Sequence, residues 1–450
     1  MNVAAAKVGT RDALGEAFAR TRDRLPGTGQ VPQTRQLAFD SFVRRGLPHR
    51  RIEDWKYTDL RALMREVLPP ALAPNQTAFD AAAKALATHA IEGARRLVLV
   101  DGYFAPQLSD LANLEKGVRI RTLRELLESG AWPSLHRRTV TEVINPKADQ
   151  DQSDPMIALN AAMMTDGVMI EVAPGMRLAQ PLHVVHVATC ARPAAMFTRS
   201  ALRLGKATTA TLIESFIAAN DAAIYQVHHA MMLLVDAEAR LDHVRLAEDS
   251  RDAFNISSAA VGLGPRAHFN TFALTTGAGV SRYQMFVEFA GEGSRVETSG
   301  VNLLNGRQHA DTTMFLDHAL PNCVSREIFR AVVDDRAHSV FQGRIIVRPD
   351  AQKTDAKMMT RALLLSDEAE ADNKPELEIF ADDVTCGHGA TSGALDESLL
   401  FYLRARGLPE KEAQALLIQA FVGEAIEGIA NDELREATMA AAQRWLEARS

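Results

Sequence analysis

Cysteine is scarce in this sequence, with only Cys190, Cys323 and Cys386 among 450 residues. They are 133 and 63 residues apart, so there is no CxxC pair and no spacing typical of a structural zinc site. A permanently held iron–sulfur cluster usually takes four thiolates, which this chain alone cannot supply. An odd, sparse set of cysteines favours a reducing compartment over a disulfide framework. We therefore expect a cytoplasmic protein with no permanently bound cofactor.

The sequence also lacks a basic excess and long apolar runs. Lys and Arg number 50 against 57 Asp and Glu, a formal charge of −7, which makes nucleic acid an unexpected partner. The apolar run 230–235 is far shorter than the ~20 residues of a membrane span. Residues 1–18 contain no continuous apolar stretch and do not resemble a secretory signal. We expect contact with neither nucleic acid nor membrane.

The motifs of common enzyme classes are missing as well. The segment 200–207 comes nearest to a phosphate-binding loop, but it lacks the first Gly and ends in Ala instead of Ser or Thr. No GxGxxG follows a predicted strand, and neither a GxSxG elbow nor an HExxH helix occurs. We predict that the chain is not an enzyme and that any ATP is bound by another chain.

Hydrophobic patterns divide the chain into three predicted regions. Helical periodicity marks residues 1–92, where Phe39, Phe42 and Val43 share a face and a second stripe runs over 60–67. Short runs rich in Val, Ile, Leu, Phe and Thr then alternate with turns, without the amphipathic helices of βαβ units. Helical patterns return after residue 394. We predict an N-terminal helical domain (1–92), a β core (93–385, irregular to about 155) and a C-terminal helical domain (386–450).

A loose internal repeat refines the prediction for the β core. A short turn followed by a small residue recurs at Ala207, Ala239, Ala267, Ser294 and Ala337, in steps of 32, 28, 27 and 43 residues. A propeller blade usually needs about 40–45 residues, so most steps are too short for one. Stacked coils tolerate such irregular steps. The repeat favours a parallel β-helix, with chance similarity among turns as the alternative.

The segment 381–395, ADDVTCGHGATSGAL, is the most promising for chemistry. Cys386 and His388 are two residues apart, so on a strand they share one face. They are suited to half of a soft-metal site, to a Cys–His nucleophile–base pair, or simply to a buried thiol beside a hydrogen-bonded imidazole. Of the other histidines, His183 and His186 point to opposite sides of a strand, as do the neighbours at 228 and 229, and we interpret them as structural.

Several strings in this chain resemble the SufB/SufD family of the SUF iron–sulfur assembly system. They are RIEDWKYTDL (51–60), DGVMIEVAPGMRLAQPLHV (166–184), TLIESF (211–216), FQGRIIVRPDAQKTDA (341–356), KPELEIFADDV (374–384) and DDVTCGHGATSGALDESLLFYLRARGL (382–408), followed by EAQALLIQAF (412–421). Residues 55–58 and 388–391 are more similar to the SufD branch of this family. Where this chain has His-Gly-Ala-Thr at 388–391, the SufB branch carries His-Glu-Ala-Thr. The resemblance spans residues 51–421.

The resemblance implies a fold, partners and a site. The fold is a right-handed parallel β-helix flanked by helical domains, and the partners are SufB and the ATPase SufC. His388, and less certainly Cys386, match residues proposed to bind iron or a transient iron–sulfur cluster at the SufB–SufD interface. The C-terminal helices match the region that docks SufC, here represented by Asp396, Leu399, Tyr402, Arg406 and Phe421. A homodimer of the isolated chain and a flavin in the complex stay open.

Three alternatives accompany this expectation. In the first, the chain is a purely structural partner of SufB without a ligand role. In the second, it is a SufB-like subunit that builds clusters itself. A β-solenoid enzyme acting on carbohydrate would need paired carboxylates along a groove, whereas the acids of this β region lie mostly in turns.

Overall fold

The computed structural model describes residues 10–130 and 154–449, so the part of the predicted N-terminal domain at 1–9 and the predicted irregular part at 131–153 lie outside the described residues. The helices are α1 (Thr10–Thr21), α2 (Val31–Arg45), α3 (Leu60–Leu63), α4 (Gln76–Thr88), α5 (Leu123–Glu128), α6 (Pro155–Met163), α7 (Glu397–Ala405), α8 (Glu410–Ile426) and α9 (Asp432–Arg449). Among the helices of these two ranges, none combines the length and apolar character that a membrane span requires.

The strands follow one another in short steps after residue 168. They are β1 (Arg95–Val100), β2 (Tyr103–Phe104), β3 (Val118–Thr122), β4 (Val168–Val172), β5 (Leu182–Ala188), β6 (Ala194–Leu204), β7 (Thr209–Ala218), β8 (Tyr225–Val235), β9 (Arg240–Ala247), β10 (Phe254–Leu263), β11 (His268–Thr275), β12 (Val280–Phe289), β13 (Arg295–Leu304), β14 (His309–His318), β15 (Val324–Val333), β16 (His338–Val347), β17 (Asp355–Leu364), β18 (Glu370–Ile379) and β19 (Thr385–Gly393).

Consecutive strands alternate between two parallel sheets. Strands β5 to β19 with odd numbers lie side by side in one sheet, which β1 and β2 extend, and the even-numbered strands from β4 to β18 form the other sheet next to β3. Two successive strands therefore make one coil of a β-solenoid of about eight turns. The mainly β fold with helices at both ends is the predicted fold class.

The solenoid core consists of stacked side chains that point between the two sheets. Leu241, Phe269 and Val296 occupy the same register position on β9, β11 and β13, and all three are buried. Alternate residues of the same strands point outward, where Val244 and Phe272 belong to a second buried cluster. Both faces of the strands are therefore covered, which explains their nearly continuous apolar sequence.

The repeated turn seen in the sequence forms a corner of the solenoid. Backbone hydrogen bonds link successive turns, as where the Ala207 N–H donates to the Ala237 carbonyl at 2.9 Å and the Glu238 N–H to the Pro265 carbonyl at 2.8 Å. The fifth predicted turn, at Asp335, stacks instead on Gly306 at the opposite corner. This change of corner explains why the last step of the repeat is longer than the others.

Helices α2 and α3 cover the outside of the even-numbered sheet, whereas α4 packs on the outer face of the odd-numbered sheet near the start of the solenoid. Phe39 and Phe42 of α2 are buried with Trp55 and Leu60, as the helical periodicity of α2 predicts. The predicted helix over 60–67 is wrong beyond Leu63, because α3 has only one turn. The chain then runs extended to Pro70, which pairs with Ala195 of β6. This pairing with the sheet replaces the rest of the predicted helix.

The C-terminal helices α8 and α9 pack on the outer face of the odd-numbered sheet. Ile418, Val422 and Ile426 of α8 are buried, as the i, i+4, i+8 spacing predicts. On α9 the buried face includes Leu434 and Trp445. Ion pairs hold the edges of this layer, including Arg444–Glu248 at 2.6 Å and Arg330–Glu424 at 2.5 Å.

Candidate functional site

Strand β19, which carries Cys386 and His388, is the last strand of the odd-numbered sheet. It pairs with β17 on one side, and its other edge has no neighbouring strand within the described ranges 10–130 and 154–449. The final strand of the even-numbered sheet, β18, is likewise terminal and contains Pro375, a residue that strands tolerate at edges. The last coil of the solenoid therefore presents two free strand edges.

Cys386 and His388 share one face of β19, and that face is the inner one. The register pairs Cys386 with Ala356 and His388 with Met358, both of which belong to the buried solenoid core. Cys386 is half-buried and packs against this core, whereas His388 is exposed. The thiol and the imidazole thus lie at the open end of the core, where a ligand from outside can reach both.

The environment of Cys386 favours the protonated thiol. Partial burial raises its pKa, a hydrogen bond involving the Ala356 backbone lowers it, and the Asp355 carboxylate raises it. Since the thiolate is the form that binds soft metals and acts as a nucleophile, the described residues of this chain do not activate Cys386. A positive charge brought to the open end, such as a metal ion, would favour the thiolate.

Helix α7, which follows β19 directly, exposes several large apolar side chains. None of its residues is buried, and Leu399, Phe401 and Tyr402 keep 51%, 73% and 54% of their surface exposed. Exposed apolar residues clustered on one element are typical of a surface that binds a partner. Leu416 of α8 is also exposed, at 45%. Phe401 directly precedes Tyr402 in the sequence, but it is not among the residues that the sequence analysis predicts to bind a partner.

The other residues predicted to bind a partner have different surroundings. The Asp396 carboxylate caps α7 by accepting hydrogen bonds from the Ser398 and Leu399 N–H groups at 2.8 and 3.1 Å. The Arg406 guanidinium lies over the Tyr402 ring, 5.0 Å from its centre. Phe421 is turned inward, where it packs with the buried face of α8 and lies under Arg330. The exposed surface is therefore built by α7 and not by Phe421.

The even-numbered edge adds two apolar side chains that the sequence analysis does not single out. Ile379 and Phe380, at the end of β18, are 43% and 60% exposed. Ile379 ends a strand in which five charged residues, at positions 370, 372, 374, 376 and 378, alternate with uncharged ones, and Phe380 follows directly after the strand. Ile379 and Phe380 therefore add apolar surface at the open end of the solenoid.

The family comparison agrees with the fold and with the motif at the open end. Residues 186–421 match the model described as "SUF system FeS cluster assembly, SufBD core domain", and residues 21–184 match the "SufBD protein N-terminal region". The chain belongs to the SufBD family of iron–sulfur cluster assembly proteins. The core-domain match includes β19, α7 and most of α8, so the candidate site lies within the part of the chain that defines the family.

Individual relatives support a SufD-type member of this family. The iron–sulfur cluster assembly protein SufD of Escherichia coli is 30% identical over 420 residues, which cover 92% of each chain. A SufBD family protein of Synechocystis is 30% identical over 407 residues, covering 88% of this chain and 86% of the relative. The chloroplastic protein ABCI7 of Arabidopsis thaliana is 25% identical over 438 residues. The chain is a SufD-like member of the family, and the resemblance seen in the sequence is confirmed.

Proposed function

We propose that this chain is the SufD-type scaffold subunit of an assembly that also contains SufB and the ATPase SufC. In this role it helps to acquire iron and to hold a nascent iron–sulfur cluster at the SufB–SufD interface. The observation that carries the proposal is the position of Cys386 and His388 on the inner face of a free edge strand. The cluster is cargo that passes through the site, so incomplete ligation by this chain is an advantage.

The free edges of β18 and β19 are the proposed surface for SufB. A strand edge offers unpaired N–H and C=O groups that a strand of another chain can pair with. A SufB strand added to β19 would cover the open end of the core and bring its own ligands to Cys386 and His388. Two protein ligands from this chain leave room for at least two from SufB in a tetrahedral iron site.

Helix α7 is the proposed surface for SufC. It is held at its start by the Asp396 cap and follows β19 directly in the chain, so a displacement of α7 acts on the strand that carries Cys386 and His388. We propose that ATP-driven dimerisation of SufC pulls on α7 and opens the interface to iron and sulfide. This requires SufC to contact the open and closed interfaces differently.

The decisive experiment compares cluster formation on the coexpressed three-protein complex with and without the His388 imidazole. The His388→Ala complex is purified at unchanged subunit stoichiometry and reconstituted, and its visible absorption and acid-labile sulfide are measured. We expect a clear loss of bound cluster. His268→Ala is the matched control, because His268 is another exposed histidine of the same sheet and lies at the start of β11.

Full cluster content in the His388→Ala complex would contradict the ligand role. The chain would then be an architectural partner of SufB, in agreement with the alternative interpretation of the sequence. Loss of the complex itself in a Leu399→Asp, Phe401→Asp double variant, with His388 intact, would separately support docking through α7.

A further inference from the structure

A second group of metal-binding side chains lies deep inside the solenoid, far from the open end. His186 on β5, Glu214 on β7 and His229 on β8 all point between the two sheets and are almost completely buried. One nitrogen of each histidine and one carboxylate oxygen lie within 4.8 Å of one another. In the described part of the chain, no other group of three such side chains comes as close.

The distances within this inner cluster resemble those between ligands of one ion. The His229 Nε2 and the Glu214 Oε1 are 3.0 Å apart, and the rings of His186 and His229 are 4.5 Å apart between centres. Ligand atoms bound at about 2.0–2.2 Å can lie up to about 4.4 Å from one another. A small rotation of the side chains therefore separates the present arrangement from a metal-binding one.

Outer hydrogen bonds orient two of these three side chains. The Thr198 Oγ1 lies 2.8 Å from the Nδ1 of His229, and the Nε2 of His243 lies 2.9 Å from the second carboxylate oxygen of Glu214. His243 is itself held by Thr271 at 2.9 Å. Partners that fix the free nitrogen of a ligating histidine and the free oxygen of a ligating carboxylate are typical of protein metal sites.

The third side chain, His186, has one ring nitrogen that makes no hydrogen bond to the described residues. Its Nε2 is enclosed and has no hydrogen-bond partner among the described residues, although the ring is stacked on Phe216 with 4.5 Å between centres. Leaving a buried polar atom unpaired costs about 1–3 kcal/mol. A narrow cavity, lined by His186, Thr198, Tyr225 and Asp249 among others, adjoins the ring and is just large enough to admit a particle the size of water.

We infer that His186, Glu214 and His229 form an internal site for one divalent first-row transition-metal ion. Two imidazoles and one carboxylate with open positions are a donor set that suits Fe²⁺, Zn²⁺ or Co²⁺ better than Mg²⁺ or Ca²⁺. The Arg245 guanidinium lies against Phe216 and Tyr283, and its positive charge acts on His186. It would therefore repel a metal ion at this site and weaken its binding. The ion is therefore held reversibly, and this site does not depend on the proposed function of the open end.

Co²⁺ is the probe for the test, because its visible d–d absorption reports the ligand set. The whole chain carries Cys386→Ala and His388→Ala so that the open end contributes no ligands. Titration is expected to show one equivalent of bound Co²⁺ and a rise in the thermal midpoint. The same titration is repeated with Fe²⁺ under anaerobic conditions, and with Co²⁺ present during refolding so that enclosure cannot hide the site.

Three further variants in that background decide the ligand set. His186→Phe keeps the ring stacked on Phe216 but removes its nitrogens, and Glu214→Gln keeps a similar shape; both are expected to abolish the Co²⁺ bands. His228→Ala is the control, because His228 is the buried chain neighbour of His229 but points outward against Phe197. Undiminished Co²⁺ binding in His186→Phe, or no saturable binding by the parent chain by either route, would overturn the inference.

Discussion

Glu327 is a carboxylic acid enclosed in the solenoid core. It lies on β15 between Thr298 and Met358, is almost completely buried, and neither carboxylate oxygen has a hydrogen-bond partner in the described part of the chain. Burial raises the pKa of Glu327 to about 8, so the folded protein keeps this acid neutral at neutral pH. The unfolded chain releases the same proton near pH 4.5, the ordinary value for Glu.

This difference predicts a loss of stability as the pH rises. Between about pH 4.5 and pH 8 the folded state binds more protons at Glu327 than the unfolded state does, so the free energy of unfolding falls by up to about 1.4 kcal/mol per pH unit. Below that range both states are protonated, and the contribution is fully retained. Glu327→Gln should therefore stabilise the protein at pH 7.5 and have little effect at pH 4.5.

Denaturant unfolding at the two pH values measures this prediction. Glu297→Gln is the matched control, because Glu297 lies on the adjacent strand but is half-exposed and paired with Arg295. An equal effect of Glu327→Gln at both pH values would show that Glu327 is not the buried proton carrier that its surroundings indicate.

Single residues also show what the sequence could and could not predict. Strand alternation correctly separates His183 from His186 and the histidine at 228 from that at 229, because the side-chain period of a strand is two. It cannot bring His186, Glu214 and His229 together, since the three come from different strands and meet only when the coils stack. The inner cluster is a product of coil register, which no local pattern encodes.

Helix α7 depends on its own residues more than the other long helices do. It buries no side chain, so hardly any tertiary packing offsets the cost of ordering it. Its main local support is the Asp396 carboxylate, which accepts two backbone hydrogen bonds at the helix start. We predict that Asp396→Ala destabilises α7 by about 0.5–2 kcal/mol and thereby speeds amide hydrogen exchange over residues 397–405.

Asn75→Ala provides the comparison for this helix prediction. Asn75 caps α4 in a similar way, with 3.0 Å from its Oδ1 to the Ala78 N–H, but α4 buries Ala82 and Leu86. Exchange over α4 should change less, because packing holds that helix in place. If α7 kept the exchange rate of the parent chain after Asp396→Ala, the cap would not be its main support.

Elements differ in how well the sequence predicts them. The C-terminal helices begin and end where the sequence predicts, because Asp396, Gly407 and Asn431 stand where helix ends require them, but only α8 and α9 bury an apolar face. The stripe over 60–67 has the same periodicity yet yields only α3. After α3 the chain is extended instead, and residues 69–71 form backbone hydrogen bonds with Ala195, which is more than a hundred positions away in the sequence.

Close stacking of turns makes the middle of the solenoid sensitive to small changes in volume. A Cβ added at Gly291 would lie 2.0 Å from the Pro265 backbone nitrogen in the adjacent coil, whereas one added at Gly387 on β19 would meet nothing within 4 Å. We predict that Gly291→Ala destabilises the protein by about 1–3 kcal/mol or more. Gly387→Ala should be nearly neutral in the isolated chain.

Thermal unfolding of the two alanine variants tests the stacked core directly. Similar midpoints for Gly291→Ala and Gly387→Ala would mean that neighbouring coils can separate without cost, contrary to the close packing at the corner. The coil length and the corner turns could be foreseen from the repeat, but the opposite corner at Asp335 could not, because both corners use similar residues.

The two ends of the solenoid are unlike each other, and this limits how far such a molecule can polymerise. At the start, the short antiparallel strands β2 and β3 end the two sheets, while at the other end both sheets finish in long parallel strands, β18 and β19. A growing fibre would need the last coil of one subunit to pair with the first coil of the next, and within residues 10–130 and 154–449 the first coil ends in short antiparallel strands that do not match the long parallel strands of the last coil. If two solenoids join through their last coils, as the proposed contact with SufB requires, both of these edges are used at once and the assembly closes at two solenoids.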